Sequence, residues 1–279
     1  MANMGLGRAL LELQPCRYGY SQIDFRGPEV DRTAPYIAFL GATETVGPFL
    51  TRPFPTLTAR LCDLGCANLG IKNAGPDAFL RDPEVLAVAR GAEAVVLEVM
   101  GAVNLSNAFY KVHPRRNDRF VRAYEPLREI APRLDLTDVH FTGHLMVQIA
   151  AQAPQALRTV QQELQSVWVE RMQALIDTLG VPVHLLRLPP PASANIGAFL
   201  IEPLMMAAIA TEAASITRAR PSDAAHAEGT KEMFFSETEA PVAAHLLSAM
   251  AHEEIAEALA TNIRGGATKR ARAGYGTGP

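Results

Sequence analysis

Three short stretches carry residue types that could do acyl chemistry if the fold brings them together. In "FLGATET" (39–45), Thr43 follows Gly41 and Ala42 at the end of an apolar run. Its hydroxyl becomes a nucleophile wherever a base lies within reach. In "NLGIKNAGPD" (68–77), Gly70 offers a backbone N–H with no side chain in front of it. In "GAVNLSN" (101–107), Asn104 offers an amide N–H. A hydroxyl, a backbone donor and an amide donor together can attack a carbonyl and hold the oxyanion that forms. Plainer roles stand beside these. Thr43 can cap the turn or helix that follows, and Glu44 or Thr45 can face the site in its place. Gly70, Gly75 and Gly101 can serve turns, and Asn104 and Asn107 can bond local backbone.

A fourth stretch, "YKVHPRRNDRF" (110–120), places His113, Arg115, Arg116 and Arg119 within seven residues, between Tyr110 and Phe120. Forked guanidinium donors at this density make an anion clamp for a phosphate, sulfate or carboxylate. They can equally pair with nearby acids such as Asp118, Glu125 and Asp24. His140 and His144 stand four apart, but no His-Glu-x-x-His surrounds them, so no metal site is read. No Gly-x4-Gly-Lys-Ser/Thr loop occurs, which argues against a nucleoside triphosphatase.

Chemistry on four separate segments needs elements that deliver them to one place. "YIAFLGA" (36–42), "CANLGI" (66–71) and "AEAVVLEVMG" (92–101) read as strands. "FPTLTARLCDLG" (54–65) reads as a helix ending at Gly65. A second helix follows in "DPEVLAVARG" (82–91), with Asp82 as N-cap, Pro83 in the first turn and Gly91 as its stop. This β-α-β-α-β order predicts a parallel sheet with helices on both faces. Ligands of such a sheet bind outside the carboxyl ends of its strands, which is where all three acyl-chemistry stretches fall.

Residues 102–150 break the rhythm with a basic aromatic loop and two short helices. A long amphipathic helix over 154–180 follows, with Leu157, Val160, Leu164, Val167, Trp168, Met172, Leu175 and Ile176 on one face. A fourth strand (181–189), a proline-led loop, a helix (203–214), a fifth strand (215–221) and a last helix (252–263) complete the domain. Residues 1–35 read as an arm laid over it, and the glycine-rich basic tail at 264–279 as disordered.

These blocks resemble the SGNH (GDSL-type) hydrolases, a flavodoxin-like three-layer α/β/α family of esterases, lipases and related acyl hydrolases, over residues 36–263. "GAT" (41–43) stands where that family has Gly-Asp-Ser, "NLG" (68–70) fits its second block, and "GAVN" (101–104) fits its third with one extra residue and no Asp. The resemblance implies Thr43 as nucleophile, Gly70 N–H and Asn104 as oxyanion donors, and a histidine before or on the last helix as base. His252 holds that position, with Ala249 where the family has Asp. Asp223 and His226 offer the alternative pair at the family spacing. "FLGATET", "NLGIKNAGPDAFL" and "MGAVNLSNAFYKVHPRRNDRF" look closer still to a group of bacterial proteins of unknown function.

Bulk properties bound the partners. Over 279 residues, a net charge of −3 and 20% charged residues give no support for nucleic-acid binding through bulk charge. No run of apolar residues is long enough to span a membrane, and the N-terminal stretch lacks the apolar core of a secretory leader. Three cysteines, Cys16, Cys62 and Cys66, do not make a disulfide framework and fit a reducing cytoplasm. The expectation is a cytoplasmic ester hydrolase or acyltransferase needing neither cofactor nor metal, acting on a small acyl or saccharide substrate. Two alternatives remain: a non-catalytic relative that binds an anionic or saccharide ligand through loop 110–120, and a transferase that holds an activated anionic donor on its arginines. A homo-oligomer stays open.

Overall fold

Alternate residues of the central strands enter two different cores, and that alternation builds three layers. In the computed structural model, residues 13–189 and 201–274 are described. Strand β1 (Tyr36–Leu40) lies between β2 (Gly65–Asn68) and β3 (Ala94–Glu98) in a five-stranded parallel sheet completed by β6 (Val183–Arg187) and β7 (Ser215–Arg218). The order is β2-β1-β3-β6-β7. The register sets Phe39 opposite Asn68 and Val96, and Glu98 opposite Leu186. This is the flavodoxin-like order, in which the chain reverses direction across the sheet between β1 and β3.

Tyr36, Ala38 and Leu40 of β1 pack with Val95 and Leu97 of β3 against α3 (Asp77–Leu80), α4 (Pro83–Arg90), α7 (Pro154–Leu179) and α8 (Pro203–Ala210). Ile37, Phe39 and Val96 point the other way, onto α2 (Phe54–Leu61) and α11 (Ala249–Gly274). The strands are therefore apolar on both faces, as a sheet covered on both sides requires. Asp82 caps α4 as expected, accepting the N–H groups of Glu84 and Val85. The face read on the long helix is the buried one. Its first turns, with Val160 and Leu164, cover a satellite core, and Trp168, Met172 and Leu175 enter the main one.

That satellite core is where sequence patterns are weakest. Residues 102–150 hold the two helices expected, α5 (Glu125–Ile130) and α6 (Thr142–Gln152), and also an antiparallel hairpin, β4 (Tyr110–Val112) with β5 (Phe120–Ala123). Strands of three and four residues carrying Lys111 and Arg122 show too little alternation to be read. Helix α2 stops at Leu61, short of Gly65, because Asp63 takes the left-handed position (φ 56°) and Gly65 already starts β2. The last helix begins at Ala249 and runs to Gly274, past the end expected at Ile263. Residues 264–274, read from their glycines and charges as disordered tail, continue it; the alanines, lysine and arginines among them are good helix formers.

Residues 13–35 lie on their own domain. Cys16 and Phe25 form an antiparallel bridge, and Tyr18 and Phe25 enter the main core. All three cysteines are free thiols, and burial pushes that of Cys66 up to about 12. Among the described residues, no helix is long and apolar enough to cross a membrane. The proline-led loop after β6 falls mostly at 190–200, outside the described residues.

Candidate functional site

The carboxyl ends of β1, β2 and β3 bring the three predicted stretches together around one residue that the sequence reading passed over. Thr43 is the first residue of α1 (Thr43–Val46), a single turn leaving β1, and its side chain caps nothing there. Its hydroxyl accepts the Asn73 N–H at 3.0 Å and donates to Asn73 Oδ1 at 3.1 Å. Asn104 Nδ2 donates to the Asn73 carbonyl at 2.8 Å, and Asn104 Oδ1 accepts from the Thr142 hydroxyl at 2.6 Å. The Asn73 amide donates in turn to Asp118 Oδ2 at 3.2 Å. Asn73 thus has its N–H, its C=O and both ends of its side chain engaged, at a φ of 54°. Asn tolerates this left-handed conformation better than other residues with a side chain, and an Asn just before Ala-Gly in a strand-exit loop was the available signal.

Gly70 closes the same loop against α1. A Cβ there would stand 2.6 Å from Val46 N and 2.9 Å from the Thr45 carbonyl carbon, so only glycine fits. Its N–H does not face open space: it donates to Asn68 Oδ1 at 3.0 Å, while Asn68 Nδ2 holds the Thr45 carbonyl at 2.8 Å.

The arginine-bearing loop docks on this cluster through its asparagine. Asn117 is fully buried. It accepts the Gly75 N–H at 3.0 Å and donates to the His113 carbonyl at 3.0 Å. The His113 ring shapes the turn, its Nδ1 accepting the N–H groups of Arg115 and Arg116. Arg119 turns away and lies 5.2 Å over the Phe141 ring. Arg115 and Arg116 are exposed, and none of the ion pairs among the described residues involves them. Of the acids that could have matched them, Asp24 pairs with Arg17 at 2.6 Å and Asp118 accepts from Asn73. Arg115 and Arg116 instead line a cavity of about 400 Å³ with Gly70, Lys72, Asn73 and Asp118, and with Asp24 and Arg26 of the N-terminal arm. Thr43 and Asn104 stand behind Asn73.

His252 reaches the residue next to Thr43. It is buried on α11 and stacks on Phe54 with ring centroids 5.5 Å apart. Its Nδ1 accepts the Phe54 N–H at 3.0 Å, which leaves the ring proton on Nε2, 3.3 Å from Glu44 Oε2. Glu44 Oε1 accepts the Leu247 N–H. Both ring nitrogens of His252 are therefore engaged, neither of them by Thr43. Asp223 and His226 lie exposed on the short helix α9 (Asp223–Glu228). His144 bonds Gln148, and among the described residues no three His, Cys, Asp or Glu side chains gather as a metal site. A second hollow of about 520 Å³ lies at the ends of β6 and β7, lined by Arg187, Arg218 and Arg220; no predicted site residue borders it.

Glu98 ties the strand ends together from below. The carboxylate, buried at the end of β3, accepts the Ala42 N–H at 2.8 Å and the Thr45 hydroxyl. A Cβ on Gly41 would collide with both Thr45 and Glu98. Burial pushes the Glu98 carboxyl up from 4.5 to about 7, the two hydrogen bonds pulling the other way. A carboxyl raised on folding keeps its proton where the unfolded chain has lost it. Its contribution to stability is therefore present below 4.5 and is lost as the pH climbs through about 7. Glu98→Gln keeps an acceptor oxygen and removes the titration, so its melting temperature should fall less than wild type's between about pH 5 and pH 8 in a thermal melt series.

Fold and crevice together define a three-layer α/β protein with a ligand-sized pocket at the carboxyl ends of β1 and β2. The chain belongs to the family described as Domain of unknown function (DUF6473), whose family model matches residues 1–267. No curated protein matches the sequence. Among solved structures, the crystal structure of the lipase Lip_vut3 from goat rumen metagenome aligns with a TM-score of 0.41 and 10% identity, over 82% of this chain and 97% of that one. A likeness that distant carries no argument about activity.

Proposed function

We propose that the crevice binds an anionic ligand, gripping a phosphate, sulfate or carboxylate group with Arg115 and Arg116. One observation carries this reading: two guanidinium groups, with no acid partner among the described residues, line a cavity of about 400 Å³ together with Lys72, on a loop fixed by Asn117 and His113. The loop backbone is held before an oxyanion arrives, and each planar guanidinium fork matches the geometry of two of its oxygens. Thr43, Asn104 and Asp118 act through Asn73, which they hold in place. Thermal-shift measurements with phosphate, sulfate and sugar acids should raise the melting temperature, and Arg115→Ala or Arg116→Ala should remove most of that rise. A full set of anions that leaves the wild-type melt unmoved would end this reading.

The second reading is acyl or ester hydrolysis, or acyl transfer, in the manner of the SGNH hydrolases. In its favour, Thr43 and Asn104 meet on one residue, and His252 bonds the residue next to Thr43. Against it, Asn73 covers the Thr43 hydroxyl, Gly70 N–H is bonded to Asn68, and neither His252 nitrogen is open to take a proton. Short-chain nitrophenyl esters decide between the two. Turnover by wild type should not exceed that of Thr43→Ala, and a turnover that Thr43→Ala abolishes would put hydrolysis first.

A further inference from the structure

The cavity wall carries more positive charge than a single carboxylate needs. Besides Arg115, Arg116 and Lys72, it includes Arg26. The Arg26 guanidinium donates to four backbone carbonyls, those of Val46, Gly47, Leu50 and Thr51, and to no carboxylate among the described residues. Carbonyl dipoles orient it without cancelling its charge. Burial lowers its pKa to about 10, so it stays protonated at neutral pH. Two carboxylates line the same cavity, and Asp24 is already neutralised by Arg17. Lys72 also lies within electrostatic reach of Glu239. The balance is a pocket with a clear surplus of positive charge. Part of its wall is apolar: Leu13, Pro15 and Ile23 of the arm and Ile71 of the strand-exit loop. A cavity of this volume lies in the range, roughly 300–1,000 Å³, that holds small organic ligands. A bare oxyanion would leave that wall wet.

Resting on the anion-binding reading above, we propose that the ligand is a phosphomonoester. Its phosphate, close to doubly charged at neutral pH, lies among Arg115, Arg116 and Lys72 above Arg26. Its small apolar or aromatic group packs on Leu13, Pro15, Ile23 and Ile71.

Phenyl phosphate and phenyl sulfate have nearly the same shape and differ by about one charge, so titration calorimetry with both isolates the charge requirement. Inorganic phosphate isolates the apolar wall. Phenyl phosphate should bind about tenfold tighter than either, a difference of about 1.4 kcal/mol. Lys72→Gln, an exposed change that leaves the fold intact, should lose most of the preference for phosphate over sulfate. Equal affinity for the two phenyl esters overturns the dianion, with anion binding still standing. Equal affinity for inorganic and phenyl phosphate overturns the organic group. Binding that survives Arg115→Ala with Arg116→Ala, or no binding of any anion, overturns the underlying reading as well. Co-flotation with phosphatidylcholine vesicles doped with phosphatidic acid, without binding of phenyl phosphate, would make the source a lipid headgroup and overturn the soluble ester.

Discussion

Changing Arg115 and Arg116 together to alanine should weaken anion binding by about 100-fold while leaving the fold where it is. Each guanidinium offers charge-assisted hydrogen bonds of about 1.5–3 kcal/mol when made to a charged partner. Both side chains are exposed, so solvent and salt screen part of that. About 3 kcal/mol for the pair is a discounted figure, and it corresponds to about two decades in affinity. Stability should move by no more than about 0.5 kcal/mol, because neither side chain holds the loop. That work falls to the His113 ring, which accepts the backbone N–H groups of both arginines, and to buried Asn117. Titration calorimetry at low and high salt, with a thermal melt as control, separates the two effects. Replacing both arginines by lysine should recover part of the affinity, since the charge returns but the fork does not. An alanine pair that binds like wild type leaves the clamp without support.

The largest stability effect should come from Trp168→Ala, at about 4 kcal/mol or more. Trp168 is fully buried at the centre of the long helix. Truncating a buried Trp to Ala typically costs about 3–5 kcal/mol through lost burial and the cavity left behind. Its indole N–H also donates to the Met100 carbonyl at 2.8 Å, and an orphaned buried carbonyl adds to the loss. That is a large share of the roughly 5–15 kcal/mol that holds a domain folded. Trp168→Phe keeps most of the ring and should cost about 1–3 kcal/mol. Met100 opens the segment that carries Asn104, and Asn104 holds the Asn73 carbonyl. Trp168→Phe should therefore also weaken anion binding several-fold without touching the ligand. Denaturant unfolding followed by far-UV circular dichroism measures the first effect. Tryptophan fluorescence cannot, since this is the chain's single tryptophan.

Periodicity and caps were enough for the frame. Strands apolar on both faces, Asp82 and Pro83 opening a helix, and the long stripe from Val160 to Ile176 all follow from local rules that neighbours reinforce. The hairpin at Tyr110–Val112 and Phe120–Ala123 was not legible, because its strands are short, charged and stabilised by a core they share with α5, α6 and α7. Nor was the partner of His252. A histidine on the last helix can be placed near the sheet edge from its position in the chain, but whether it meets Thr43 or Glu44 depends on a few ångströms of helix placement.

What the amino-acid sequence determined alone is that the exits of β1, β2 and β3 share one edge, since parallel strands joined by helices leave no other choice. What only the tertiary structure decided is which groups there remain open. Thr43, Gly70, Asn104 and His252 each meet a partner tens to hundreds of residues away or a side chain in their own loop, whereas Arg115 and Arg116 face the cavity. The reason is physical: a hydrogen bond needs atoms within about 3 Å, and that precision comes from packing among distant segments, which no local pattern records.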